Sequence, residues 1–282
     1  MKKVAFHTLG CKVNKYETEA MEELFKSSGY EIVKEDDIAD IYVINTCTVT
    51  NLSASKSRQF IRKAKRLNDN AVVAVVGCYS QVSPDEVAEI DGVDVIIGTN
   101  KRNQIVFLCE EAKGKKMQIN IVKDSNEYKE FEEINVTGMD SMTRAYIKVQ
   151  DGCNQFCSYC IIPYARGRIR SRDAYDIVEE IKDLADKGFK EVVLTGIHVA
   201  SYGKDLSNMD LAMLIENIAK IDGIKRIRLS SIEQSIITDE FMKRIVNTNK
   251  VCDHFHLSLQ SGSDTVLKRM NRKYTSSEYY EK

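Results

Sequence analysis

Apolar runs typical of β-strands alternate with segments of helical periodicity along most of the chain. In residues 3–113 the strand-like runs include VAFHTLG, IYVINT, AVVAVVG and DVIIG, and amphipathic segments such as KYETEAMEELFKSSGY stand between them. Such alternation is typical of a parallel sheet that is covered by helices on both faces. We therefore predict an α/β domain with a doubly wound parallel sheet over residues 1–113.

The alternation stops at a polar stretch without a clear period and resumes near residue 143. The strand-like runs AYIKVQ, EVVLTG, IKRIRLSSI and HFHLSL are each followed by a helical segment. Consecutive βα units of this kind predict part of a βα barrel. We therefore expect a linker over residues 114–142 and a partial barrel over residues 143–282.

Composition narrows the classes of protein to which the chain can belong. The formal net charge of −1 creates no overall attraction for nucleic acid, so any such binding needs local basic patches. The apolar runs fall well short of the roughly 20 residues of a membrane span, and MKKVAFHTLGC lacks the apolar core of a signal peptide. We expect a cytoplasmic protein with no membrane partner, in which clustered cysteines serve metal binding or catalysis.

Three clustered cysteines, Cys153, Cys157 and Cys160, follow the strand-like run AYIKVQ. A structural zinc site uses four ligands, commonly from two C-x2-C knuckles, whereas here the second knuckle and a nearby histidine are both missing. Three thiolates suit a [4Fe–4S] cluster with one iron left open, and a structural metal knuckle or a chance grouping is the alternative. The C-x3-C-x2-C spacing after a first barrel strand resembles that of radical S-adenosylmethionine enzymes.

Three other cysteines stand just past the ends of predicted strands: Cys11 after VAFHTLG, Cys47 after IYVINT and Cys78 after AVVAVVG. The carboxyl ends of parallel strands share one edge of the sheet, where open α/β sheets bind their ligands. Gly10 and Gly77 permit the tight strand exits that this arrangement needs. We expect a second site with three thiolates, and the alternative is that these cysteines are small buried hydrophobic residues.

The sequence around the second set of cysteines resembles a known family. TLGCKVNKYETEAM, INTCTVT with the following ASKSRQFIRKAKR, and VVGCYSQ resemble the N-terminal domain of radical S-adenosylmethionine methylthiotransferases, and GCKVNKYETEAM resembles the MtaB subgroup. The resemblance covers nearly the whole chain. It implies an N-terminal methylthiotransferase domain joined to a radical βα barrel, and methylthiolation of C2 of N6-threonylcarbamoyladenosine at position 37 of tRNA.

The same resemblance implies the cofactors: two [4Fe–4S] clusters and S-adenosylmethionine. The implied ligands are Cys11, Cys47 and Cys78 for an auxiliary cluster, and Cys153, Cys157 and Cys160 for the catalytic radical cluster. One S-adenosylmethionine would methylate a sulfur held at the auxiliary cluster, and a second would be cleaved to a radical that removes hydrogen from C2. The implied partners are tRNA and a reductant such as flavodoxin or ferredoxin, with an unknown sulfur donor, and we expect a monomer.

Several polar residues at predicted strand ends are candidates for binding S-adenosylmethionine by this resemblance. They are Tyr159 near the adenine, Thr195 and Gly196 near the methionyl amino group, Ser230 and Glu233 near the ribose, and Gln260 in the pocket lining. Each of these has a plainer interpretation, because strand-end glycines often serve geometry and exposed tyrosines and polar residues often serve packing or solvation.

Two basic segments are candidates for contact with tRNA phosphates. The first comprises Arg166, Arg168, Arg170 and Arg172, where an arginine is also suited to bind a carboxylate with two hydrogen bonds. The second is the helical segment after Cys47, in which Arg62 and Arg66 are accompanied by several lysines. Basic runs of this kind are also common on solvated helix faces, so the sequence leaves both interpretations open.

The chain departs from the family pattern at its C-terminal end. Family members complete a six-unit barrel and add a small RNA-binding β-barrel domain, so we expect a chain that is truncated relative to them, with activity and tRNA affinity affected. Two other enzymatic functions stay open: methylthiolation of isopentenyladenosine in tRNA or of an aspartate in a ribosomal protein. A third possibility is an iron–sulfur or zinc-binding module for RNA or electron transfer that is not an enzyme.

Overall fold

The computed structural model describes residues 1–48, 51–134, 136 and 143–282. The chain divides into two compact units. The first unit comprises Met1–Val136 and Tyr164–Gly167, and the second comprises the described residues of Thr137–Pro163 together with Arg168–Lys282. The α/β class predicted from the sequence is confirmed in both units.

The first unit is built on six strands in its described residues, all paired in parallel in the order β2-β1-β3-β4-β5-β6. The strands are β1 (Lys3–Thr8), β2 (Glu31–Val33), β3 (Ile41–Thr46), β4 (Val72–Gly77), β5 (Val95–Ile96) and β6 (Ile119–Asn120). The helices are α1 (Lys12–Ser27), α2 (Asn51–Leu67), α3 (Cys78–Val82), α4 (Pro84–Ala88) and α5 (Ile105–Lys115), with 3-10 turns at Arg102–Gln104 and Ser125–Glu127.

Helices cover both faces of this sheet, as the unbroken apolar sequence of the central strands requires. On one face Val43 of β3 packs with residues of α1 and α5 such as Phe25 and Leu108. On the other face the neighbouring Ile44 packs with Ile61 of α2. Successive residues of one strand therefore enter two separate cores, and the doubly wound sheet predicted from the alternation is confirmed.

The strand order reverses between β1 and β3. The chain runs outward from β1 to β2 at one edge and then continues from β3 through β4, β5 and β6 in the other direction. Such a switch point opens a crevice beyond the carboxyl ends of the two strands, and ligands of open α/β sheets bind there. The residues that follow β1 and β3 therefore occupy the place in this sheet that is best suited to a ligand.

The first unit continues beyond the boundary expected at residue 113. Ile119 and Asn120 form β6 by pairing with β5, and their position falls inside the segment 114–142 that the sequence suggested as a linker. The polar, aperiodic sequence hides a strand of two residues because such a strand is too short to show any alternation. Part of the expected linker, residues 135 and 137–142, lies outside the described residues.

The second unit is built on a four-stranded sheet in its described residues, in the order β10-β9-β7-β8. The strands are β7 (Ala145–Asp151), β8 (Arg170–Ser171), β9 (Glu191–Gly196) and β10 (Arg226–Leu229). The helices are α7 (Ala174–Asp186), α8 (Leu211–Ala219), α9 (Asp239–Val246), α10 (Asp264–Arg269) and α11 (Ser276–Glu281), with 3-10 turns at Val199–Ser201 and Gln234–Ile236. The short helix α6 (Ile162–Arg166) precedes β8, which pairs antiparallel with β7, whereas β7, β9 and β10 are mutually parallel.

The fourth predicted strand of this unit, HFHLSL, does not form a regular strand. This part of the chain meets β10 and the residues after it through two isolated parallel bridges, Ile227 to Val251 and Ile232 to Leu257. The offset between partners differs by one residue between the two bridges, because a tight turn from Cys252 to His254 closes with an N–H···O bond of 2.7 Å. The prediction of a regular strand here was therefore wrong, because an alternating sequence alone does not reveal a break in the register of pairing.

An acid-sensitive contact holds β9 to β10 in the second unit. Burial raises the pKa of Glu191, but hydrogen bonds from Arg226 Nε at 2.7 Å and Arg228 Nε at 3.0 Å outweigh it and hold that pKa below its ordinary value of 4.5. A lowered pKa in the folded state stabilises the fold above the ordinary value, and this contribution disappears as the pH falls through the lowered value.

We therefore expect Glu191→Gln to make the stability of the second unit less sensitive to acid. Urea midpoints should fall between about pH 6 and pH 3.5 in the parent chain and should fall less in the variant. Equal slopes in the two proteins would contradict a stabilising role for the ionised carboxylate.

None of the helices in the described part of the chain is both long and apolar enough to cross a membrane.

Candidate functional site

Cys11, Cys47 and Cys78, the first cysteine site, follow three adjacent parallel strands of the first unit. Cys11 precedes α1, Cys47 follows β3 directly, and Cys78 begins α3 directly after β4. The strand ends are aligned, because Thr8 pairs with Asn45 and Thr46 pairs with Gly77 in the sheet register. The topology therefore brings to one sheet edge three cysteines that are far apart in sequence.

Two glycines allow the strand exits to approach one another closely. Gly10 has a φ of 111°, and a Cβ atom there would lie 2.9 Å from Cys47 Cβ and 3.1 Å from Cys47 Sγ. Gly77 has a φ of 99°, and a Cβ atom there would lie 2.6 Å from both Asn45 Oδ1 and the Thr46 carbonyl oxygen. Both positions therefore need glycine for backbone conformation and for space, and Cys47 lies against the turn that carries Cys11.

The three thiols differ in exposure. Cys11 is exposed, whereas Cys47 and Cys78 are buried. Burial raises the pKa of the Cys78 thiol, although Arg166 acts against it, and Cys11 is near enough to add to the rise. A thiol whose pKa is raised in this way requires a metal or a cationic neighbour to become a thiolate ligand.

The donor set suits a cluster better than a single ion. Among the described residues, no three His, Cys, Asp or Glu side chains are close enough together to hold one metal ion. The thiolates of a [4Fe–4S] cluster bind separate irons and so are spread more widely than the ligands of one ion. Three converging cysteines at a switch point therefore fit such a cluster chemically.

Cys153, Cys157 and Cys160, the second cysteine site, lie on the loop that leaves β7. Burial raises the pKa values of Cys153 and Cys157. Cys157 and Cys160 add to the rise at Cys153, and Cys160 adds to the rise at Cys157. The N–H of Cys160 donates to the Cys157 carbonyl oxygen at 3.0 Å, which turns the chain between the last two cysteines. The three thiols thus lie near one another on a single loop.

The beginning of this loop is fixed by buried charges. Asp151 is the last residue of β7; one of its carboxylate oxygens accepts Lys148 Nζ at 2.6 Å, and the other accepts the Gly152 N–H at 2.8 Å. Both side chains are almost fully buried. Breaking such a buried ion pair costs several kcal/mol, roughly 3–5, so the exit of β7 and the position of Cys153 are held firmly.

The end of α10 supports the middle of the loop. Ser158 donates to the Arg269 carbonyl oxygen at 2.8 Å, and Asn271 Nδ2 donates to the Phe156 carbonyl oxygen at 2.9 Å. Phe156 has a φ of 48°, a left-handed conformation that bulky residues rarely adopt. These contacts keep the strained loop in the conformation that gathers the three thiols.

Glu233, which follows β10, connects the loop to two other elements of the second unit. Its carboxylate accepts hydrogen bonds from Gln155 Nε2 at 2.9 Å, His198 Nε2 at 3.2 Å and Ser235 Oγ at 3.2 Å, and it lies 3.5 Å from Arg272 NH1. Burial raises the pKa of Glu233, but these contacts outweigh it and lower the pKa overall. From the sequence we expected Glu233 to bind the ribose of S-adenosylmethionine. The structural roles of Gln155 and His198 were missed, because no periodic pattern in the sequence indicates them.

Tyr159, between the last two cysteines, is half exposed and is held at its hydroxyl. That hydroxyl donates to Gln260 Oε1 at 3.0 Å and accepts from Arg272 NH2 at 2.6 Å. The Arg272 guanidinium also lies 5.8 Å from the centre of the Tyr159 ring. Two of the predicted cofactor residues, Tyr159 and Gln260, are therefore in contact.

The remaining predicted cofactor residues lie at the ends of β9 and β10. Thr195 is buried within β9, and a Cβ atom on Gly196 would lie 2.9 Å from the Gln150 carbonyl oxygen, so the glycine has a packing role of its own. Ser230 Oγ is buried and has no hydrogen-bond partner among the described residues. An unsatisfied buried hydroxyl just past the end of β10 fits a polar ligand such as S-adenosylmethionine.

The predicted arginine surface at residues 166–172 is largely wrong. Arg166, Arg170 and Arg172 are buried and form ion pairs with carboxylates, and only Arg168 is exposed. The partners are Glu17 for Arg166, Asp151 for Arg170 and Glu180 for Arg172. Buried guanidinium groups that are already paired are not available to RNA phosphates, and the sequence alone does not reveal where their carboxylates come from.

The second basic segment, on α2, remains accessible. Lys56, Arg62 and Arg66 are exposed, whereas Lys63 and Lys65 form ion pairs with acidic side chains of the first unit. A helix with several exposed, unneutralised cations can contact phosphates, as can any solvated helix.

Two parts of the chain match known protein families. Residues 3–98 match the family described as "Uncharacterized protein family UPF0004". Residues 147–282 match the Radical SAM superfamily, which implies S-adenosylmethionine and a [4Fe–4S] cluster. The first match contains the first cysteine site, and the second contains the second cysteine site.

Curated relatives cover almost all of this chain. It is 49% identical over 276 residues to the threonylcarbamoyladenosine tRNA methylthiotransferase MtaB of Bacillus subtilis (strain 168), covering 98% of the chain and 61% of that protein. It is 44% identical to the MtaB protein of Aquifex aeolicus, and the match covers 99% of this chain and 68% of that protein. It is 37% identical to the tRNA-2-methylthio-N(6)-dimethylallyladenosine synthase of Dictyoglomus thermophilum, and the match covers 99% of this chain and 64% of that protein. The chain thus spans about three fifths to two thirds of the length of these relatives.

A solved structure shares the fold. The radical S-adenosylmethionine methyltransferase TsrM of Kitasatospora setae superposes with a TM-score of 0.66 at 15% identity, covering 100% of this chain and 64% of that one. This similarity supports the fold, while the close sequence relatives decide the family. With its two cysteine trios, its match to the Radical SAM superfamily and its identity to MtaB proteins, the chain belongs to the MtaB-like family of radical S-adenosylmethionine methylthiotransferases.

Proposed function

We propose that this chain serves methylthiolation of C2 of N6-threonylcarbamoyladenosine at position 37 of tRNA, by radical S-adenosylmethionine chemistry with two [4Fe–4S] clusters. The observation that carries the proposal is the convergence of Cys11, Cys47 and Cys78 behind three adjacent strands. A radical enzyme that only cleaves S-adenosylmethionine needs the second cysteine site alone, so the first site calls for a further task. Identity to MtaB proteins makes sulfur transfer to tRNA the best-supported task.

The chain's own residues would divide the work between the two units. When bound, the clusters would supply reductive cleavage of S-adenosylmethionine and a place to hold the transferred sulfur. Cys153, Cys157 and Cys160 would hold the radical cluster, and Glu233 would keep the loop of these cysteines in place. Ser230 and the half-exposed Tyr159 offer polar and aromatic contacts for the nucleoside part of S-adenosylmethionine.

Nucleoside analysis of tRNA tests the proposal directly. Mass spectrometry of tRNA from a strain that lacks the gene should show N6-threonylcarbamoyladenosine without its methylthio group, and restoring the gene should restore the modification. An unchanged level of 2-methylthio-N6-threonylcarbamoyladenosine would contradict the proposed substrate.

The alternatives have their own signatures in the same experiment. Loss of the methylthio group from isopentenyladenosine would indicate the activity named for the Dictyoglomus thermophilum relative. Loss of a modified aspartate from a ribosomal protein would indicate a protein substrate. A chain that binds metal and never forms 5′-deoxyadenosine would instead be a module for RNA or electron transfer.

The proposal also concerns partners and location. A radical cluster of this type needs a one-electron donor, for which a flavodoxin or ferredoxin is suitable, and the sulfur donor is not identified by the chain's chemistry. A tRNA substrate would place the protein in the cytoplasm. We expect it to work as a monomer.

We predict that the exposed cations of α2 contribute to tRNA binding. Replacing Lys56, Arg62 and Arg66 together with Gln should weaken binding more than about tenfold and reduce the salt dependence by about one unit of slope for each lost phosphate contact. Binding is measured by fluorescence anisotropy with labelled tRNA at several salt concentrations.

A matched variant separates position from total charge. Lys113, Lys115 and Lys116 are exposed at the end of α5, and their replacement with Gln removes the same formal charge elsewhere in the first unit. An equal loss of affinity in both triple variants would show that α2 has no special role.

A further inference from the structure

A buried asparagine links two of the loops at the first cysteine site. Asn14 lies in the first turn of α1, and its amide nitrogen donates to the carbonyl oxygens of Leu9 at 2.8 Å and Thr46 at 2.9 Å. Leu9 is two residues before Cys11, and Thr46 directly precedes Cys47. The Asn14 Oδ1 atom also lies 3.8 Å from Cys11 Sγ. One side chain therefore sets the separation of the Cys11 and Cys47 loops.

A buried arginine extends this connection to the third cysteine. Arg166 is fully buried within the first unit, and its NH2 group donates to the same Asn14 Oδ1 atom at 2.9 Å. Two further hydrogen bonds, of 2.8 and 3.0 Å, reach the carboxylate of Glu17. The guanidinium is also near enough to Cys78 to act against the rise that burial causes in the pKa of that thiol. It thus lies near Cys78 and reaches the loops of the other two cysteines through Asn14.

We propose that Arg166 is a positioning residue of the first cysteine site, which holds Cys78 in line with Cys11 and Cys47 through Asn14 and keeps a positive charge against the ligand sulfurs. The inference rests on the proposed function, because it takes these cysteines as ligands of the auxiliary cluster. Hydrogen bonds to the sulfurs and the local charge are among the factors that set the potential of an iron–sulfur cluster. A nearby cation favours the reduced, more negative state.

A purely structural role for Arg166 is the competing explanation, and the chain contains a matched control for it. Arg102 is also fully buried and shares the same carboxylate, with its NH1 group 2.6 Å from Glu17 Oε2. The rest of its guanidinium is engaged by Glu132 and by the Thr99 carbonyl oxygen, both at 2.7 Å. Loss of either arginine removes one buried positive charge from one network, but Arg166 also donates to Asn14, the residue that holds the Cys11 and Cys47 loops.

The test uses the full chain with only the first site able to hold a cluster. In a parent with Cys153, Cys157 and Cys160 replaced by Ala, the cluster is reconstituted anaerobically and titrated by redox potential with electron paramagnetic resonance as the readout. Arg166→Gln should disfavour reduction at least tenfold, which is about 59 mV for one electron. Arg102→Gln should change the equilibrium for reduction of the cluster by less than about threefold. Arg166→Lys should restore most of the parental reduction potential, because the positive charge returns.

The outcomes separate the inference from the function on which it rests. Equal shifts in Arg166→Gln and Arg102→Gln, or no shift in either, would overturn the positioning role while leaving the auxiliary cluster intact. Loss of iron from Arg166→Gln alone, with recovery in Arg166→Lys, would support it, whereas loss from both Gln variants would overturn it, because Arg166 would then have no effect that Arg102 lacks. A parent that binds no iron would reject the auxiliary cluster itself and the inference with it.

Discussion

Replacing Cys157 with Ala is expected to abolish formation of 5′-deoxyadenosine and to halve the iron that the chain retains. The parent should hold about eight irons after anaerobic reconstitution, in two clusters of four, and the variant about four. The physical reason is that the three thiols share one loop, so the removal of the central cysteine leaves two ligands for the radical cluster. Iron analysis and chromatography of the products after dithionite reduction measure both effects.

The complementary variant at the first cysteine site tests whether the two sites are independent. Cys11→Ala should also reduce the iron to about four per chain, but formation of 5′-deoxyadenosine should continue, because the ligands of the radical cluster remain. Cys252→Ala serves as a control, since Cys252 lies in the turn before the fourth predicted strand and belongs to neither site. An unchanged iron content in Cys11→Ala would contradict the existence of the auxiliary cluster and therefore also the proposed sulfur transfer.

The sequence was sufficient to predict the doubly wound sheet of the first unit, apart from the short strand β6, and the placement of three cysteines at adjacent strand ends. Unbroken apolar runs such as those of β3 and β4 predict buried strands of a parallel sheet. The carboxyl ends of such strands share one edge of the sheet. A cysteine at each of these ends, as at Cys11, Cys47 and Cys78, therefore defines a site before any coordinates exist. The parallel strands β7, β9 and β10 of the second unit followed from the same alternation, but the fourth predicted strand is reduced to isolated bridges on either side of the turn at Cys252.

The roles of charged residues could not be predicted in the same way. Arg166 appeared as one of four arginines in a basic run, and its partner Glu17 is separated from it by 149 positions. Whether an arginine is exposed or buried depends on a carboxylate that a different part of the chain supplies. Glu233 illustrates the same limit, because its partners come from the cysteine loop, from β9 and from the end of α10. Long-range polar networks leave no periodic pattern in the sequence.

The network around Glu17 is expected to dominate the stability of the first unit. Glu17 is fully buried in α1, and its carboxylate is shared by Arg102 at 2.6 Å and Arg166 at 2.8 Å. Glu17→Gln preserves the volume of the side chain but removes the negative charge that Arg166 and Arg102 share, while Arg102 keeps its ion pair with Glu132. Removing one member of a buried ion pair costs about 3–5 kcal/mol, because the remaining charge has lost its compensation.

This loss is measured by hydrogen–deuterium exchange of the amides of β3 and β4. Those strands are completely buried in the first unit, so their amides exchange mainly when the unit opens as a whole. A loss of 3–5 kcal/mol corresponds to exchange that is faster by more than about a hundredfold. Glu23→Gln is the matched control on the same helix, since Glu23 forms a partly exposed ion pair with Lys26 at 3.3 Å, and the loss of such a pair should cost less than about 1 kcal/mol. Comparable exchange in the two variants would show that the buried arginines find other compensation, and that the carboxylate of Glu17 is dispensable to the fold.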